Sequence, residues 1–129
     1  MRTSVTKLFE FEACHHLPNY DGACRNLHGH SYKLEVEIKG EIDDVSGMVT
    51  DFSELKKTVK RLVINKYDHA DLNEFFDMPT AENMVVEIFR VLDEYFNYNE
   101  LDGVPLTIDH PLERVRLYET STSYAEVKR

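Results

Sequence analysis

Two stretches near the start of the chain alternate between apolar and polar residues, which is typical of half-buried β-strands. In residues 7–17, KLFEFEACHHL, the odd positions from Phe9 to Leu17 share one face. In residues 28–39, the even positions from His28 to Ile38 share one face, and lysines and glutamates occupy most of the other. The intervening residues are rich in turn formers. The pattern therefore predicts two antiparallel strands joined by a loop.

Two amphipathic helices are predicted in the middle of the chain. The first begins near Asp51, which can cap it, and Glu54 three residues later completes a pattern that resembles a capping box. The second runs from about Ala81 to Phe96, because Thr80 is a good N-cap and the proline before it disfavours an earlier start. Apolar residues recur at helical spacing in both segments, so each helix has one face to bury.

The C-terminal region alternates again. Residues 114–120, RVRLYET, and 123–129, SYAEVKR, predict two more strands, whereas the link 97–113 has no regular pattern. The order ββααββ predicts a single α+β domain over residues 1–129, in which a four-stranded antiparallel sheet packs on two helices. Such a sheet has two open edges, so we expect a homo-oligomer that pairs them.

Composition narrows the possible partners. A net charge of −9 argues against nucleic acid and against an anionic membrane, since both attract basic surfaces. The N-terminus has no apolar run like that of a signal peptide, and no stretch approaches the roughly 20 apolar residues of a membrane span. The two cysteines, Cys14 and Cys24, are then more plausible as a thiol, a ligand or packing than as a disulfide. We expect a cytoplasmic protein.

Three histidines occupy positions where the strand pattern requires apolar side chains. His15 ends the apolar face of the first strand, and His28 and His30 begin that of the second. In an antiparallel pair these positions lie at the same end of one face. A single inward histidine is usually a hydrogen-bonded core residue, but three together predict a metal site. Three imidazoles leave a fourth tetrahedral position open, which is typical of catalytic zinc.

Three further residues have both structural and catalytic interpretations. Cys24, in the loop beside the histidines, is a small loop residue, a further zinc ligand, or a base or nucleophile. Asp68 and His69 are either polar loop residues or a proton-transfer pair in which the carboxylate orients the imidazole.

Thr80, Glu82 and Glu119 complete the set of candidate residues. Thr80 and Glu82 are first of all a helix start, as a cap and as a charge that favours the helix dipole. Glu119 continues the inward face of its strand, where a carboxylate is costly unless it is paired. It is suited to bind a guanidine-like or aminopyrimidine group, unless the strand end has already emerged into water.

An ordered set of short motifs spans nearly the whole chain. It comprises FEACHHLP, CRNLHGHSY, GEID with GMVTDFSELK, YDHADLN, PTAEN and LYET. Together these motifs resemble the 6-pyruvoyltetrahydropterin synthase / 6-carboxytetrahydropterin synthase family. The resemblance implies the tunnelling fold, in which three ββααββ subunits close a β-barrel and two trimers stack into a hexamer.

The resemblance also implies residue roles. It implies zinc on His15, His28 and His30, a catalytic cysteine at Cys24 and its partner pair at Asp68 and His69. Glu119 matches the acid that anchors the pterin ring, and the segment with Thr80 and Glu82 lies near the pterin pocket.

The spacing from Cys24 to His28 is similar to that of the bacterial members of the queuosine pathway. These convert 7,8-dihydroneopterin triphosphate to 6-carboxy-5,6,7,8-tetrahydropterin, with release of acetaldehyde and triphosphate. The alternatives are a pyruvoyltetrahydropterin synthase, which eliminates triphosphate without carbon–carbon cleavage, and a non-catalytic module that binds a pterin or a metal.

Overall fold

A five-stranded sheet with helices on one face forms the body of the molecule. The computed structural model describes residues 1–98, 100–101, 104–105 and 112–129. The strands are β1 (Arg2–His15), β2 (His28–Glu41), β3 (Ala70–Asp71), β4 (Glu100–Leu101), β5 (Val104–Pro105), β6 (Leu112–Thr120) and β7 (Ser123–Lys128). The helices are α1 (Phe52–Val59), α2 (Asn65–Tyr67) and α3 (Ala81–Tyr98).

The sheet order is β3-β1-β2-β6-β7, and β1, β2, β6 and β7 are the four predicted antiparallel strands. The α+β class is therefore confirmed. The sheet has one strand more than predicted, because β3 pairs in parallel with the end of β1. Two residues are too few to show alternation, so the sequence pattern gave no signal for β3. Within the link, α3 continues to Tyr98, β4 and β5 pair with each other, and β6 begins at Leu112; residues 99, 102–103 and 106–111 lie outside the described residues.

The helix starts follow the predicted capping residues. The Asp51 carboxylate accepts a hydrogen bond from the Ser53 backbone N at 2.7 Å, and Thr80 Oγ1 accepts one from the Asn83 backbone N at 3.2 Å. Glu54 instead lies 3.5 Å from Lys57 Nζ on the helix surface. The first predicted helix consists of three consecutive segments, because a π-helical stretch, Lys60–Ile64, joins α1 to α2.

The core lies between the helices and the sheet face that carries the odd residues of β1 and the even residues of β2. Phe11 stacks on Tyr32 with ring centroids 5.0 Å apart, and both side chains are buried. The even residues of β1 point to the opposite face, and all of them except the partly buried Cys14 are exposed. Among the described residues, no helix is long and apolar enough to cross a membrane.

A candidate three-histidine metal centre

The three inward histidines converge at one end of the β1–β2 pair. His15 lies opposite His28, and Ala13 opposite His30, in the antiparallel register. The three ring centroids are 4.6–4.9 Å apart, and one potential ligand atom from each ring lies within 4.8 Å of the others. The alternation argument therefore identified residues that the fold brings together, and this group could hold a metal ion.

Backbone carbonyls determine which nitrogen of two of these rings carries the proton. His15 Nδ1 lies 2.8 Å from the Pro79 carbonyl oxygen, and His28 Nδ1 lies 2.7 Å from that of Asn26. A carbonyl only accepts hydrogen bonds, so each Nδ1 donates and each Nε2 keeps a lone pair in the neutral ring. The two Nε2 atoms face each other at 3.1 Å. Two lone pairs at this distance repel each other unless a proton or a metal ion lies between them, and imidazole nitrogens suit zinc and its neighbours in the transition series.

His30 supplies the third nitrogen and the link to Glu119. Within the described part of the chain, His30 Nε2 is buried and has no hydrogen-bond partner. It lies 3.5 Å from Glu119 Oε1, which is too long for a good hydrogen bond but close enough for electrostatic attraction. Burial lowers the pKa of His30 more than Glu119 raises it, and His15 and His28 lower it further. The neutral form that a metal requires is therefore favoured.

Glu119 points inward, as its strand pattern predicted. Its side chain is 29% exposed and lies beside His30 at the end of β6. A carboxylate in this position is half-shielded from water and adjacent to the histidine group. It can therefore bind a ligand that carries neighbouring N–H donors while another part of the same ligand lies near the histidines.

Cys24 lies in a 3-10 turn, Ala23–Arg25, on the loop between β1 and β2. Its backbone oxygen accepts a hydrogen bond from the Leu17 backbone N at 2.8 Å, which holds the turn close to the end of β1. The thiol is partly buried and not in a disulfide. The turn is thus at the same end of the strands as the histidines, and the role of Cys24 remains a prediction.

Asp68 and His69 contact each other at the edge of the sheet, beside the end of β1. Asp68 Oδ1 lies 3.0 Å from His69 Nδ1 and accepts a hydrogen bond from the Glu12 backbone N, also at 3.0 Å. His69 is 80% exposed and has a left-handed backbone, with φ of 61°. It lines a cleft of about 340 Å³ together with Glu12 and Ser31, whose side chains lie on the face opposite the core, and with His30. The pair is therefore not part of the group of three converging rings, although His30 borders the same cleft.

The hydrogen bond from Glu12 to Asp68 is expected to break only below pH 3.8. Donation by the Glu12 backbone N lowers the pKa of Asp68 below its ordinary value of 3.8, and the bond to His69 lowers it further. The contact is thus fully present above pH 3.8 and is lost as the pH falls through the lower, folded-state value. Carboxyl NMR titration should give this lowered pKa, and the Glu12 amide shift should follow the same curve. An Asp68→Asn variant should lack that step, and an ordinary Asp68 pKa would contradict the prediction.

The segment before α3 contacts the histidine group through a backbone carbonyl group. Thr80 Oγ1 caps α3, and Glu82 is exposed in its first turn. Pro79, just before them, accepts the His15 hydrogen bond described above. Their use in substrate binding stays a prediction.

Several supporting groups were not predicted. The carbonyls of Asn26 and Pro79 belong to the backbone and leave no trace in a residue pattern. Tyr32 is 1% exposed, and its hydroxyl lies 3.4 Å from His15 Nδ1. Burial raises the pKa of Tyr32, and nearby Glu119 adds to this effect. The sequence signal that could have identified Tyr32 as a supporting group is its inward position on β2, two residues after His30.

The fold defines an α+β subunit of the tunnelling type, and its histidine group could hold a metal ion. The profile of the 6-pyruvoyl tetrahydropterin synthase family matches residues 4–129, and the chain belongs to this family. It is 39% identical over 127 residues to 6-carboxy-5,6,7,8-tetrahydropterin synthase of Synechocystis, covering 94% of this chain and 89% of the relative.

Two further comparisons agree with this assignment. The chain is 33% identical over 142 residues to 6-carboxy-5,6,7,8-tetrahydropterin synthase of Haemophilus influenzae, covering 95% of this chain and 96% of the relative. The structure of 6-pyruvoyl tetrahydropterin synthase from Caenorhabditis elegans superposes with a TM-score of 0.80 at 29% identity, covering 100% of this chain and 96% of that one.

Proposed function

We propose that this chain is the subunit of a zinc-dependent 6-carboxytetrahydropterin synthase, a carbon–carbon lyase. It converts 7,8-dihydroneopterin triphosphate and one water molecule to 6-carboxy-5,6,7,8-tetrahydropterin, acetaldehyde and triphosphate, a step towards queuosine and related 7-deazaguanines. The observation that best supports a metal centre is the close approach of His15 Nε2 and His28 Nε2, whose lone pairs face each other at 3.1 Å. The names of the bacterial relatives support the reaction.

The residues have distinct tasks in this proposal. Zinc held by His15, His28 and His30 would supply Lewis acidity towards the oxygens of the substrate side chain. Glu119 accepts two N–H groups of the pterin, and its position beside His30 directs the pterin side chain towards the histidines. Thr80 and Glu82, at the start of α3, contribute to the pterin pocket. Triphosphate leaves, and a retro-aldol-type cleavage releases acetaldehyde.

Proton transfer falls to Cys24, Asp68 and His69. Cys24, as a thiolate, removes a proton from the substrate side chain. His69 takes or returns a proton at a neighbouring position, and its ring is oriented by the Asp68 carboxylate 3.0 Å from Nδ1. For each proton that Cys24 removes from the substrate side chain, His69 thus takes or returns one at the neighbouring position.

The separation of His69 from the histidine group supports an active site shared between subunits. Since His69 is 80% exposed and is not among the three converging rings, we assign the Asp68–His69 pair of each site to a neighbouring copy. A homohexamer built as a dimer of trimers, with its open sheet edges paired into a barrel, meets this requirement. Light scattering of the purified protein should therefore give about six times the subunit mass.

Mixing two inactive variants tests the shared site directly. His28→Ala removes a metal ligand and His69→Ala removes the proton-transfer group, so each homo-oligomer is expected to be inactive. Subunits mixed after dissociation should regain part of the wild-type activity, because some sites receive both intact halves. A mixture of His28→Ala with His15→Ala is the matched control and should stay inactive. Equal inactivity of both mixtures would contradict a shared site.

The decisive experiment is a product assay by mass spectrometry. Zinc-loaded protein is incubated with 7,8-dihydroneopterin triphosphate, and pterin product and acetaldehyde are both measured. We expect carboxytetrahydropterin with an equal amount of acetaldehyde. Pyruvoyltetrahydropterin without acetaldehyde would instead favour the second candidate, 6-pyruvoyltetrahydropterin synthase, which the similarity to the Caenorhabditis elegans structure supports. Bound zinc without turnover would favour a non-catalytic binding module.

Replacement of Glu119 by glutamine is expected to weaken substrate binding. The amide offers one acceptor and one donor where the pterin presents two donors, so a charge-assisted pair is lost. Hydrogen bonds to charged groups contribute about 1.5–3 kcal/mol, so KM should rise about 10- to 100-fold while zinc content stays unchanged. Steady-state kinetics and metal analysis measure both. Glu113→Gln, at the other end of β6, is the control, and an equal KM in both variants would exclude Glu119 as the pterin anchor.

A further inference from the structure

The His15 side chain is hydrogen-bonded to the turn before α3, which contains none of the three histidines. The His15 side chain is 1% exposed, and its Nδ1 donates to the Pro79 carbonyl oxygen over 2.8 Å. The Tyr32 hydroxyl lies farther from the same nitrogen, at 3.4 Å. The Pro79 carbonyl is thus the main group that fixes the orientation and tautomer of this ring.

The direction of that carbonyl depends on a small hydrogen-bond network around Asn83. The Met78 carbonyl oxygen accepts from the Thr80 backbone N and from Asn83 Nδ2, both at 2.9 Å. The Asn83 backbone N donates to Thr80 Oγ1 at 3.2 Å. Pro79 lies between these two anchored residues, and its ring restricts its φ. Asn83 therefore holds the turn on both sides of the carbonyl that His15 uses.

We propose that Asn83 is a positioning residue for the metal centre, an inference that rests on the proposed zinc site. It acts through two steps: its amide fixes the turn at Met78, and the Pro79 carbonyl fixed by that turn holds His15 with Nε2 free to bind metal. Groups that orient a metal-ligating histidine commonly change metal affinity by 10- to 100-fold when they are removed. Because the same turn carries Thr80 and leads to Glu82, Asn83 also keeps the predicted pterin-binding segment in register with the histidines.

Zinc affinity of an Asn83→Ala variant tests this role. Asn83 is exposed and alanine is a good helix former, so the variant should fold. We expect zinc binding about tenfold weaker than in the wild type, measured by competition with a chelator. Asp51→Ala is the matched control, because it also removes a side-chain bond at a helix start, that of α1. It should lower the thermal unfolding midpoint and leave zinc affinity unchanged.

The tautomer of His15 gives a second measurement that needs no metal. In metal-free wild-type protein at pH 8, ¹⁵N NMR should show His15 protonated on Nδ1, and Asn83→Ala should shift both ring nitrogens towards averaged values. Unchanged zinc affinity together with an unchanged tautomer would overturn the proposal. If the wild type itself binds no zinc, the proposed function fails, and the tautomer comparison alone then decides whether Asn83 positions His15.

Discussion

A His28→Ala variant is expected to lose zinc at micromolar metal concentrations and to show no measurable turnover. His28 supplies one of the two lone pairs that face each other at 3.1 Å, and its removal leaves two imidazoles. Loss of a ligand should cost more than the ~100-fold that loss of a supporting group can cause. His28 is only half-buried and begins β2, so the fold should survive its truncation. Metal analysis after dialysis and steady-state kinetics give the two measurements.

The neighbouring histidine His16 offers a matched control. His16 follows His15 directly, but its backbone pairs with the Asn73 carboxamide, and its ring lies near the same side chain. His16→Ala should therefore keep one zinc per subunit and most of the activity. Retention of stoichiometric zinc by His28→Ala, or its loss from His16→Ala, would show that the metal is bound elsewhere.

A Cys24→Ala variant is expected to bind zinc normally and to lose most of its turnover. A positioned acid or base contributes about 10²- to 10⁴-fold to a rate, so kcat should fall by a factor in that range. Zinc content should not change if the three histidines alone hold the metal. This result separates two of the roles that the sequence left open for Cys24, namely base and further zinc ligand. If Cys24 were a zinc ligand, its replacement would also lower the zinc content. The measurements are kcat and bound zinc on the same sample.

Cys14 provides the internal comparison for this experiment. Its thiol lies 3.7 Å from the Ala70 carbonyl oxygen, beside β3 and on the face opposite the histidines. Cys14→Ala should keep kcat within about twofold of the wild type, because this thiol has no part in the proposed chemistry. Full activity in Cys24→Ala would refute Cys24 as the base, whatever the result for Cys14.

The histidine group was predictable because alternation fixes both the face and the pairing of two adjacent strands. Once His15 and His28 are assigned to inward positions at the joined ends, their contact follows from the register. Glu119 was found by the same rule on β6. These residues need only local periodicity and one correct antiparallel pairing.

The remaining features depend on information that a residue pattern does not contain. Strand β3 is too short for periodicity, and its parallel pairing arises from the path of the chain after α2. The position of Asp68 and His69 beside β1 depends on that same path, so the sequence could suggest the pair but not where it lies relative to the histidines. The Pro79 carbonyl is visible only once α3 has been placed against the sheet.

The left-handed backbone of His69 has a consequence for attempts to engineer this protein. A residue other than glycine in this conformation costs roughly 1–2 kcal/mol, and His69 at φ 61° gains nothing from burial, since it is 80% exposed. Glycine at this position also removes the contact with Asp68, but such exposed pairs contribute only about 0–1 kcal/mol, so the exchange should raise the melting temperature while it removes the imidazole. A selection for thermal stability alone would favour this exchange, so any directed evolution of the protein needs a simultaneous screen for turnover.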